Sequence, residues 1–115
     1  MLADSSLLAD TQIVLWWQAQ SDRMSTTVSA WLDRADRILV SPMTCWEIAM
    51  LVGRGRIELD RPVAAWVTDL FTDPKLVVAP ITPQIAVTAG ELAGFHGDPA
   101  DRFIYATAVA NSVRR

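Results

Sequence analysis

The stretch Arg37-Ile38-Leu39-Val40-Ser41-Pro42-Met43-Thr44-Cys45-Trp46-Glu47-Ile48-Ala49-Met50-Leu51-Val52-Gly53 decides how the rest of the chain is read. Ile38, Leu39 and Val40 form an uninterrupted apolar run, the mark of a strand buried on both faces. Ser41 and Pro42 stop it. They also start a helix, because a serine oxygen accepts an orphan backbone N–H and proline has no N–H to leave unpaired in the first turn. The helix expected from Met43 to Val52 is almost wholly apolar, and Gly53 is placed to end it in a left-handed cap. A buried strand, a tight turn and a buried helix make one unit of a parallel sheet covered by helices.

One residue breaks the character of that helix. Glu47 has Met43, Met50 and Leu51 at its i−4, i+3 and i+4 positions, so no lysine or arginine meets it along the helix. A carboxylate buried without a partner costs several kcal/mol. A capping box, Thr44-x-x-Glu47, is the alternative account. Ser41 with Pro42 fits the helix start better, and Glu47 then lies mid-helix, where a metal or an arginine from elsewhere in the fold must compensate it.

Working outward, the same punctuation recurs. Leu7 to Ala9 is a short strand ending at Asp10, followed by a helix from Thr11 to Ala19 with Ile13, Leu15, Trp16 and Trp17 inward. Met24 to Ala35 is a second helix. After the central unit come a helix from Arg61 to Phe71, with Pro62 near its first position, and a strand from Lys75 to Ala79 closed by Pro80. Thr82 and Pro83 open a helix to Leu92, and the last helix runs from Pro99 to Asn111. The order is β-α-α-β-α-α-β-α-α, with no repeat and no linker long enough to divide residues 1–115 into two domains. Helices between strands imply parallel strands and right-handed crossovers, hence an α/β sheet with helices on both faces and a ligand site at the carboxyl ends of its strands.

Composition narrows the function classes. The chain has 115 residues, 51% hydrophobic and 20% charged, which is globular rather than disordered. No apolar stretch approaches the roughly 20 residues of a membrane span. The first ten residues carry two acids and no base, unlike a secretory signal, and the single Cys45 cannot form an internal disulfide. Cytoplasmic residence is the expectation. Ten Lys plus Arg against 13 Asp plus Glu give a formal charge of −3, so any polyanion must be met by a local patch or a metal rather than by net charge. Lys75 is the only lysine, which disfavours Schiff-base and Walker-type chemistry.

The candidate site residues are the acids at the expected carboxyl edge. Asp10 follows a strand and precedes a helix, which suits N-capping and also suits a metal ligand. In Asp98-Pro99-Ala100-Asp101, Asp98 reads as N-cap and Asp101 as an acid favoured by the positive helix end. On the functional reading Asp10, Glu47, Asp98 and Asp101 gather oxygen donors that suit Mg²⁺ or Mn²⁺. His96 is the only histidine and makes no zinc site; it is expected to order its loop or approach substrate. Cys45 reads as a structural thiol. Trp16, Trp17, Trp31, Trp46 and Trp66 are core by default, with room for one at a partner surface. Arg54 and Arg56 are either solvated loop charge or phosphate contacts, and Arg102 is the arginine placed to pair with an acid and is also a candidate substrate contact.

Three ordered segments carry a resemblance: Leu7-Leu8-Ala9-Asp10-Thr11-Gln12, then Ser41-Pro42-Met43-Thr44-Cys45-Trp46-Glu47-Ile48-Ala49-Met50, then Phe95-His96-Gly97-Asp98-Pro99-Ala100-Asp101-Arg102-Phe103-Ile104. Together they resemble the PIN domain, and within it the VapC-type ribonuclease toxins of toxin-antitoxin pairs, over Leu7 to Ala110. The resemblance implies an α/β/α sandwich on a central parallel sheet and Mg²⁺- or Mn²⁺-dependent endonucleolytic cleavage of RNA. It also implies homodimerisation and inhibition by a VapB-like antitoxin. By position Asp10, Glu47 and Asp101 match the family's acids, Asp98 is an additional acid, and Thr11 or Thr44 adds a hydroxyl near metal or substrate. The histidine usual after Asp-Thr is Gln12 here. The family's further C-terminal strand, with its fourth acid in a Thr-x-Asp segment, is expected to be missing, since Arg114-Arg115 stands where it would begin. Two functions follow from that departure: an active metal-dependent endoribonuclease toxin, or a truncated, catalytically weak module that binds antitoxin or RNA. Phosphotransfer domains of receiver or haloacid dehalogenase type fit less well, because Thr11-Gln12 follows Asp10 with no second aspartate.

Overall fold

A computed structural model describes residues 6–92, 94 and 98–113. In chain order its elements are β1 (Ser6–Ala9), α1 (Thr11–Gln18), α2 (Thr26–Arg34), β2 (Arg37–Val40), α3 (Pro42–Gly53), α4 (Val63–Leu70), β3 (Leu76–Val78), α5 (Pro83–Glu91) and α6 (Pro99–Asn111). The three strands are parallel in the order β1-β2-β3, so the Ile-Leu-Val strand is central, with Leu39 opposite Leu8 on one side and Val77 on the other.

Side-chain alternation along the strands separates two cores. Ala9, Ile38, Val40 and Leu76 face Val14 of α1, Leu32 of α2, Ile48 of α3 and Leu70 of α4. Leu8, Leu39 and Ala79 face Ile104 of α6, and α5 packs on α6 through Ile85, Ala89 and Ala106. Two successive right-handed crossovers in one direction put all four intervening helices on one face, so α5 and α6 cover the other. This is the α/β/α sandwich that the residue pattern implied.

The boundaries differ from expectation where capping chemistry competes with hydrophobic pattern. The second helix begins after Ser25, whose side chain accepts from Val28 N–H, rather than at Met24. The fourth begins at Val63: Pro62 is its N-cap, extended at ψ 145, and proline pushes the residue before it, Arg61, out of helical geometry. Gly53 stays helical, and the left-handed residue is Gly55, at φ +71. There Gly55 N–H bonds Val52 C=O and Arg56 N–H bonds Leu51 C=O, the paired closure of a Schellman ending. In α1 the deepest residue is Val14, fully buried, with Ile13, Leu15 and Trp17 half-buried around it. Trp31 and Trp46 are exposed, at 38% and 46%, and do not belong to the core. The buried apolar residues of their helices are Leu32 and Ile48, and Trp31 borders a small cavity beside Ile13, Val28 and Leu32.

Candidate active site

The carboxyl ends of β1 and β2 and the start of α6 meet because α3 packs on both α1 and α6. Asp10 closes β1 and caps α1, its Oδ1 accepting from Ile13 N–H at 3.0 Å. Ser41 closes β2 and caps α3, accepting from Met43 N–H at 3.0 Å, with Pro42 in the first turn as the sequence suggested. Asp98 caps α6, its Oδ1 accepting from Asp101 N–H at 2.9 Å. The structural roles foreseen for Asp10 and Asp98 are therefore realised. Each cap uses one carboxylate oxygen and a carboxylate has two, so capping does not exclude ligation.

Glu47 faces this edge from the middle of α3. Its carboxyl is held above the usual carboxylate range, first by burial, then by the negative charges of Asp98 and Asp101. A hydrogen bond from protonated Glu47 to the Asp98 carboxylate pushes the same way, while a bond from the Thr11 hydroxyl opposes it by favouring the ion. The fold thus brings Glu47, Asp98 and Asp101 together across more than fifty residues of sequence, with Thr11 reaching over from α1. As placed, no group of three Asp, Glu, His or Cys among the described residues forms a closed metal cage. The chemistry of the donor set nonetheless fits a hard cation: all donors are oxygens, and each acid adds repulsion that a cation removes.

Two buried hydroxyls support the arrangement. Thr11 Oγ1 and Thr44 Oγ1 are hydrogen-bonded at 3.3 Å, and both residues are buried. A hydroxyl carries one proton, so when Thr11 donates to Glu47, Thr44 donates to Thr11. Sequence alone named both threonines near the site. It held no signal that they touch, because they are 33 residues apart.

The remaining candidates are distributed differently. Arg54 and Arg56 are exposed at the end of α3, and Arg54 lies about 10 Å along the helix axis beyond Glu47. Arg102 Nε donates to Ala89 C=O, and its Nη2 donates to Gly90 and Leu92 C=O. His96 lies outside the described residues. Cys45 is half-buried and its thiol is pushed up by that burial, away from thiolate reactivity. A separate cavity of about 600 Å³ opens between α1 and the start of α4, where Trp16 and Trp66 lie beside Arg61.

A parallel sheet sandwiched by helices, with acids converging at its carboxyl edge, defines the class, and the chain belongs to the PIN domain family, whose pattern matches residues 7–114. It is a VapC-type member of that family. Among curated proteins it is similar to Ribonuclease VapC22 of Mycobacterium tuberculosis (strain ATCC 25618 / H37Rv), with 38% identity over 111 residues, covering 96% of this chain and 84% of the relative. No solved structure matches the chain significantly.

Proposed function

We propose that this chain is a divalent-metal-dependent endoribonuclease that acts as the toxin of a toxin-antitoxin pair in the cytoplasm. The reading rests on membership of the family, on similarity to a relative named as a ribonuclease and, in the molecule itself, on one observation: Glu47 is driven toward its neutral form by burial and by Asp98 and Asp101. A site that concentrates acids where burial penalises them is suited to receive a cation.

On this reading Asp10, Glu47, Asp98 and Asp101 hold Mg²⁺ or Mn²⁺, with Asp10, Glu47 and Asp101 as the catalytic acids. Such an ion, when bound, lowers the pKa of water and neutralises charge building on the scissile phosphate. The chain's own residues do the rest. Asp10 and Asp98, fixed by their N-cap bonds, present carboxylates with little freedom to turn. The Thr11–Thr44 pair orients Glu47. Arg54, Arg56 and His96 are assigned to contacts with the RNA backbone, supplying the local positive charge that a net charge of −3 does not. The partners are a VapB-like antitoxin and a second copy of the chain, and no described helix is long and apolar enough to cross a membrane.

Cleavage of total bacterial RNA by the purified chain with Mg²⁺ or Mn²⁺ tests the reading, with EDTA and Asp10→Asn as controls. Metal-dependent fragments that vanish in both controls are expected. A folded chain that binds RNA or antitoxin without cutting RNA overturns the enzyme reading in favour of a binding module.

A further inference from the structure

The acids of α6 need a fixed angle to Glu47, and one side chain beside them is committed elsewhere. Arg102 follows Asp101 directly, and successive residues on a helix point about 100° apart. Asp101 acts on Glu47, whereas the half-buried Arg102 guanidinium runs to the end of α5, donating to Ala89 C=O at 3.0 Å, Gly90 C=O at 3.2 Å and Leu92 C=O at 3.3 Å. These are carbonyls of the last turn and cap of α5, a helix with no basic residue of its own in its last turn. A cation there answers both the orphan carbonyls and the negative helix end. Arg102 also has a main-chain task, because its N–H donates to Asp98 C=O at 3.1 Å and closes the turn that Asp98 caps.

We infer that Arg102 is a positioning residue of the active site: it clamps the first turn of α6 to the end of α5 and so sets where Asp98 and Asp101 stand relative to Glu47. The inference rests on the nuclease reading for its catalytic consequence, but its structural half does not. The planar fork matters. Three carbonyls within the last turn and cap of α5 match several fixed N–H donors, and lysine offers only a point charge on a flexible stem. The neighbouring packing includes Ala89 and Ala106, both buried between α5 and α6, and the clamp adds directional hydrogen bonds to it. An arginine beside a catalytic acid is more readily read as a substrate or acid contact, and here the geometry gives it another task.

The test compares wild type, Arg102→Ala, Arg102→Lys and, as a charge control, Arg61→Ala. Two readouts are taken on folded protein: amide hydrogen exchange at Asp101 and Arg102, and RNA cleavage resolved into kcat and KM. Arg102→Ala is expected to lose amide protection in the first turn of α6 while the amides of β2 keep theirs. A displacement near 1 Å costs on the order of a hundredfold in rate, so kcat is expected to fall by roughly ten- to a hundredfold with KM little changed. Arg102→Lys recovers part of both losses and Arg61→Ala shows neither. Unchanged protection overturns the clamp, and a rise in KM alone reassigns Arg102 to RNA contact. If wild type does not cut RNA, the nuclease reading fails and the exchange measurement alone decides the clamp.

Discussion

Two places in this molecule gather acids, and they solve the same electrostatic problem in opposite ways. On the surface before and within α4, Asp60 and Asp69 flank Arg61, with N···O distances of 2.7 and 2.6 Å. The guanidinium holds the Asp60 carboxyl below the usual range, and Arg61 is itself pushed up by its two acids. At the sheet edge Glu47 is pushed the other way by burial and by two further acids. The first cluster is complete within the protein. In the second the acids oppose the charge of Glu47, and on the proposed reading a bound cation relieves them; that difference separates a surface ion network from a candidate site.

Breaking the second cluster has the largest expected effect. Glu47→Gln removes a carboxylate from the proposed centre, and RNA cleavage is expected to fall by more than about a hundredfold, since even groups behind the ligands cost 10–100-fold. Asp60→Asn, measured in the same assay, leaves the rate near wild type. Equal losses in the two variants would erase the distinction.

Next in size is the response to metal. An ion that binds only the folded protein stabilises it by about 2.7 kcal/mol at a hundred times its dissociation constant, so Mg²⁺ or Mn²⁺ is expected to raise Tm. Glu47→Gln abolishes that rise and Asp69→Asn does not. A metal-induced shift that survives Glu47→Gln would place the ion elsewhere.

The pH dependence sharpens the comparison through its sign. For Glu47 the folded pKa lies above the unfolded one, so folding disfavours the ion. No penalty exists while the group is protonated in both states, and it accumulates as pH rises from the unfolded value near 4 through the folded one. For Asp60 the folded pKa lies below the unfolded one, so its contribution is present above the unfolded value and is lost as pH falls through the folded one. In melts without metal from pH 4 to pH 7, Glu47→Gln should gain on wild type as pH rises, and Asp60→Asn should lose slightly. A constant offset for Glu47→Gln would remove the electrostatic account.

The smallest effect belongs to Arg61→Ala. Its pairs are exposed, and exposed pairs contribute little and are screened by salt. A slight loss of Tm that disappears in 1 M NaCl is expected by calorimetry.

How much of this was legible beforehand depends on the reach of each signal. The central Ile38-Leu39-Val40 strand, the Ser41 cap with Pro42 behind it, and the Asp98 cap are local patterns, and the fold realises all three. Gly53 was a plausible helix end, but Gly55 took the left-handed turn because only there do two carbonyls of α3 find closing N–H groups. Two tryptophans depart from the core reading, Trp31 and Trp46 being exposed, while Trp17 and Trp66 pack against the core as expected; helical spacing identifies a face without saying whether its partner has room. Glu47 was conspicuous for lacking a helical partner. Its actual neighbours, Thr11, Asp98 and Asp101, could not be read along the helix.

By itself the sequence determined the alternation of strands and helices, the caps that begin the helices and the membership of a family, because propensity, capping and motif order act over a few residues at a time. Only the tertiary structure decided that Glu47 meets Asp98 and Asp101, that Thr11 touches Thr44, and that Arg102 reaches the carbonyls at the end of α5. Those contacts depend on how α3 and α6 lie across the sheet. That placement is set by the packing of Ile48 and Ile104 on opposite faces of β2, a collective outcome of burial that no short stretch of chain contains.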